Sequence, residues 1–141
     1  MSLVEHIIAG KPTTGSTDAR APIFNPATGA QSGEVVLGGA ADIDAAVANS
    51  LEAGKAWAAT PPAKRAAVMF SLREVLKRRA DEVARTISLE HGKTHDDALG
   101  EVTRALEVVE YAAGITEKLK GEFSRNVGPG IDTCSDRQPL G

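Results

Sequence analysis

Apolar positions change their rhythm twice along the chain. Residues 1–40 hold short apolar runs cut by turn residues: Val4-Glu5-His6-Ile7-Ile8-Ala9 stops at Gly10-Lys11-Pro12, and Pro22-Ile23-Phe24 and Glu34-Val35-Val36-Leu37 flank Asn25-Pro26-Ala27-Thr28-Gly29. These read as three short strands and their turns. Three prolines and six glycines in this stretch leave no room for a helix. From residue 41 to 120 the spacing becomes three and four. Ile43, Val47, Leu51, Gly54 and Trp57 form one stripe, with Asp42 and Asp44 at the helix start. Thr60-Pro61 predicts the N-cap and first turn of a second helix, with an apolar face of Val68, Met69, Leu72, Val75 and Leu76, continuing through Val83 and Ile87. Lys77-Arg78-Arg79 marks a junction between two helices, and Gly92 is a terminator.

Thr94-His95-Asp96-Asp97 has the form of a capping box and opens a third stripe of Val102, Ala105, Leu106, Val109 and Ala113, which Gly114 weakens. The expectation is that Val68, Leu72, Val75 and Val83 are buried with Val102, Leu106 and Val109, because amphipathic stripes require a partner. After residue 121 strand-and-turn chemistry returns: Glu122–Val127 and Ile131–Arg137 read as strands around Gly128-Pro129-Gly130. The second carries Asp132, Ser135, Asp136 and Arg137, too polar for a strand buried on both faces. The sequence ends in Gln138-Pro139-Leu140-Gly141, which reads as an interruption. The predicted class is α+β, mainly helical with short N- and C-terminal strands.

Composition narrows the function classes. The 141 residues are 42% hydrophobic, 25% charged and only 4% aromatic, so a core must be built from Ala, Val, Leu and Ile. A net charge of −3 shows no basic excess for a nucleic acid. A single cysteine excludes an internal disulfide and a cysteine-based zinc site. No apolar run approaches a membrane span and no signal peptide opens the chain, so the expected setting is the cytoplasm, with no membrane partner.

Each chemical motif has a plainer reading. Gly92-Lys93-Thr94 resembles the tail of a phosphate loop, but Ile87 stands where the first glycine belongs. His91 and His95, beside Glu90, Asp96 and Asp97, could share a metal on one helix, but Gly92 breaks the helix between them. Cys134 lies between Asp132 and Asp136, whereas an activated thiolate wants a cation or a helix N-terminus. Lys77-Arg78-Arg79 is followed at once by Asp81 and Glu82, the pattern of a solvated helix face. No G-x-G-x-x-G occurs. No catalytic, cofactor-binding or metal residue is therefore assigned.

Several segments together resemble the aldehyde dehydrogenase superfamily: Ile23-Phe24-Asn25-Pro26-Ala27-Thr28-Gly29, Asp42-Ile43-Asp44-Ala45-Ala46-Val47, and Leu89-Glu90-His91-Gly92-Lys93-Thr94. Residues 100–112, with Gly130-Ile131-Asp132 and Arg137-Gln138-Pro139-Leu140-Gly141, are similar to its CoA-acylating, methylmalonate-semialdehyde branch. The resemblance implies the N-terminal part of the α/β aldehyde dehydrogenase fold. Residues 1–121 would be strands and helices flanking the cofactor domain, and residues 122–141 the start of the oligomerisation strands and the entry to the nucleotide-binding sheet. It implies NAD and CoA as cofactors of the intact enzyme and none on this chain, because the family's nucleophile and nicotinamide site follow the matched region. Some relatives hold a structural monovalent cation near carbonyl oxygens matching Ile23-Phe24 and an acid matching Glu90. The chain itself is expected to be inactive and to self-associate. The alternative is a self-standing helical assembly or interaction module.

Overall fold

The computed structural model describes residues 2–140 and divides into two units, residues 2–60 with 79–102 and residues 61–78 with 103–140. Strands β1 (Ser2–Val4), β4 (Arg20–Phe24) and β5 (Gln31–Val36) of the first unit form a sheet of order β1-β5-β4, with β1 parallel and β4 antiparallel to β5. Strands β2 (His6–Ile8) and β3 (Lys11–Thr13) form a separate hairpin. The predicted strand through residues 4–9 is thus two strands broken at Glu5, because its halves pair with different partners. Ala9 and Gly10 close the hairpin with φ of 54° and 74°, the positive values a tight two-residue turn requires.

The Asn25–Gly29 segment makes the turn expected of it. Asn25 Oδ1 accepts the amides of Ala27 (2.9 Å) and Thr28 (3.3 Å), and Gly29 reaches φ 70° while donating to the Asn25 carbonyl. Helix α1 (Ala40–Ala59) begins two residues before the predicted start, with Gly39 as N-cap. Thr60 closes this helix instead of opening the next: its hydroxyl donates to the Ala56 carbonyl (2.9 Å) and its amide to the Trp57 carbonyl (3.1 Å). A threonine before a proline can serve either end, and here the preceding turn holds it.

Helix α3 (Ala80–His91) ends in Gly92 at φ 80°, the left-handed cap that glycine adopts without penalty. Helix α4 (His95–Ala113) starts with the Thr94 hydroxyl accepting the Asp97 amide (3.4 Å). Its N-terminal half belongs to the first unit and residues 103–113 to the second. The second unit adds α2 (Pro62–Arg78), the short α5 (Ile115–Lys118) and the hairpin of β6 (Phe123–Gly128) with β7 (Ile131–Cys134). Strand β7 stops at Cys134, three residues before the predicted end: the last ladder pair is Phe123–Cys134, and the Ser135 amide makes one further bond to the Glu122 carbonyl (2.8 Å) before the chain leaves.

The core is thin and made of small residues. Val36, Ala84, Ala98 and Val102 are buried in the first unit, Ala66 and Ala113 in the second. Among the described residues no large side chain is fully buried. The accessible surface is 10534 Å², against roughly 7,000 Å² for a folded monomer of this mass. Of the stripe expected to be buried, Val102 is, and Val83, Leu106 and Val109 are half-buried. Val68, Leu72 and Val75 are exposed, a correction to the expected face of α2. That helix instead turns Arg65, Ala66, Met69, Arg73 and Leu76 inward, a face about 100° away. Two arginines on that face disguise it in the sequence. Arg73 is accommodated because its guanidinium donates to Glu110 (2.6 Å) and Glu74 (2.5 Å). The observed class is the expected α+β arrangement, about half helical with short strands near both ends.

Candidate functional site

Several of the residues singled out by their chemistry are held in ion pairs with their neighbours. Lys93, only 16% exposed at its side chain, lies on the α3–α4 connection and bridges Asp97 (2.7 Å) and Glu101 (2.5 Å). Asp97 first and Glu101 second hold its ammonium above the ordinary lysine range. That charge is committed to two carboxylates, so Gly92-Lys93-Thr94 clamps the first turns of α4 and is not a phosphate loop. His91 and His95 fall on separate helices, as the intervening glycine predicts. His95 Nε2 lies 3.0 Å from Asp81 Oδ1, which links the starts of α4 and α3. Asp81 also pairs with Arg85 (2.6 Å), and these groups line an open depression with Ser88 and Leu89. Lys77 and Arg78 form the last turn of α2, and Arg79 forks onto Glu82 at 2.7 and 2.5 Å. Cys134 is exposed on β7, opposite Phe123.

The most tightly built polar cluster was not visible in the sequence. Asp42, in the first turn of α1, accepts the Gly39 amide (2.8 Å), the Ser16 amide (2.8 Å) and the Ser16 hydroxyl (2.7 Å). Foremost the Ser16 hydroxyl, then the Gly39 and Ser16 amides, hold its carboxyl below the usual range. The ring of His6 is tucked against Gly15 and Gly38: a Cβ on either glycine would stand 3.2 Å from it. Its Nε2 is buried without a hydrogen-bond partner. A serine, a histidine and an aspartate thus meet, but not in nucleophilic order. The serine hydroxyl donates to the carboxylate and not to the imidazole, so His6 is not placed to take its proton. The cluster is a latch between the β3–β4 loop and the helix start. Asp42 was legible as a helix-dipole residue; its partner lies 26 positions earlier, beyond any local pattern.

The same latch bears on nucleotide binding. Leu37-Gly38-Gly39 is the glycine-bearing turn from β5 into α1, the kind of place where backbone amides cradle a phosphate. Here the Asp42 carboxylate already takes the Gly39 amide and places negative charge where a phosphate would sit. The Gly38-Gly39 turn is therefore not an open phosphate cradle. The described residues also contain no group of three or more His, Cys, Asp or Glu placed to hold a metal. Glu90 lies in the last turn of α3, and Pro26 packs on Gly92, 3.2 Å from where a Cβ would be; the end of α3 thus meets the Asn25–Gly29 turn. No helix among the described residues is long and apolar enough to cross a membrane.

Many large apolar side chains also remain uncovered. Ile43, Val47, Leu51 and Trp57 on α1, Val68, Leu72 and Val75 on α2, and Phe123, Val127 and Ile131 on the β6–β7 hairpin are all exposed. Comparison with known proteins gives these surfaces a context. The profile of the aldehyde dehydrogenase family matches residues 13–141. The chain belongs to the aldehyde dehydrogenase family. It is 43% identical over 141 residues to malonate-semialdehyde dehydrogenase of Pseudomonas aeruginosa, covering all of this chain and 28% of that protein. A crystal structure of methylmalonate-semialdehyde dehydrogenase from Oceanimonas doudoroffii superposes with a TM-score of 0.94 at 44% identity, over 99% of this chain and 28% of that one. A structure from Sinorhizobium meliloti 1021, assigned to the same enzyme and complexed with NAD, gives 0.95 at 45% identity over 100% and 29%. This aldehyde dehydrogenase chain thus spans under a third of the length of the relatives it matches.

Proposed function

We propose that this chain forms the N-terminal part of an NAD-dependent, CoA-acylating dehydrogenase that oxidises methylmalonate or malonate semialdehyde to an acyl-CoA. The observation that supports this reading is 43–45% identity, over essentially its whole length, to relatives named malonate- and methylmalonate-semialdehyde dehydrogenases, one of them complexed with NAD, of which it covers 28–29%. The reaction needs a thiolate nucleophile, a hydride acceptor and a thiol to receive the acyl group. Cys134 is exposed on a two-stranded hairpin, two positions from Asp132 and Asp136, and the glycine-bearing turn from β5 into α1 is filled by Asp42. The chain alone is accordingly inactive, and its contribution to the enzyme is structural.

Part of that contribution is self-association. Among the described residues strands β6 and β7 pair only with each other, every β7 residue is exposed, and an isolated two-stranded hairpin is at best marginal in water. Free strand edges recruit further strands, and the charge of Asp132 on β7 disfavours open-ended stacking, which favours a closed two-fold dimer.

The functional reading is tested by a chimera in which this chain replaces its counterpart in the Oceanimonas doudoroffii enzyme. CoA-dependent NAD reduction with methylmalonate semialdehyde is expected. A folded chimera without that activity overturns the assignment.

A further inference from the structure

We draw no further inference here: the strongest candidate, the side-chain cluster at the start of α1 in which the buried His6 Nε2 has no hydrogen-bond partner, belongs to the latch already described, beside an Asp42 carboxylate that Ser16 and Gly39 already hold.

Discussion

Replacing Val102 by alanine probes the thin core where it is best closed. Val102 is 2% exposed on α4, and its two lost methyl groups account for about 1.6 kcal/mol of transfer free energy. The cavity left beside the small residues of this core adds to that, for a total of about 2–3 kcal/mol. Leu72→Ala is the matched control. Leu72 was expected at the centre of a buried face, but it is 45% exposed, so about half of its surface never left water and no closed cavity forms. Its replacement should cost about 1 kcal/mol or less. Urea unfolding followed by far-UV circular dichroism, at several protein concentrations, measures both. A Leu72→Ala cost above that of Val102→Ala would refute the assignment of the inward face of α2. If that excess appeared only at high concentration, it would place Leu72 in a contact between copies.

Other outcomes follow from the polar latch and the turns. Asp42 has its carboxyl pKa depressed in the folded state, so its stabilisation is present above the ordinary carboxyl range and lost as pH falls through the folded value. Asp42→Asn should therefore melt lower than the parent at neutral pH, with the gap closing in acid; a gap independent of pH would contradict the latch. Gly33→Ala would set a Cβ 2.7 Å from the Ser2 carbonyl oxygen, so β1 should leave the sheet while β4 stays. Hydrogen exchange should quicken at Leu3 and Val4 and hold at β4, and uniform protection would refute the parallel pairing. Ala9→Asn should gain up to about 1 kcal/mol, because Asn tolerates the positive φ that Ala9 adopts before Gly10. A loss of stability there would mean that the turn is not the one described.

How far the sequence carried depended on how local each feature is. Gly92, Thr94 and the Asn25–Gly29 turn act within a few residues, and all three form as their chemistry dictates. The boundary at Lys77-Arg78-Arg79 and the break at Gly114 were legible for the same reason. The inward face of α2 was not. That helix has two apolar stripes, and the one with more valine and leucine stays exposed while the one holding Arg65 and Arg73 turns in. The reach of β7 was overread: Ser135, Asp136 and Arg137 are consecutive polar residues without strand alternation, and the ladder ends at the Phe123–Cys134 pair. The Ser16–Asp42 latch joins segments with no shared periodicity, so only the fold brings it into view. The family, by contrast, was legible from short motifs taken together and in order, and its profile matches residues 13–141.

The most direct test of the account is an assay of the purified 141-residue chain for NAD reduction with methylmalonate semialdehyde and CoA. With Cys134 exposed on a hairpin and Asp42 filling the glycine turn, the predicted rate is that of buffer alone at every protein concentration. A rate that rises in proportion to the chain and disappears in Cys134→Ala would contradict the account, because the chain would then carry its own nucleophile and cofactor site.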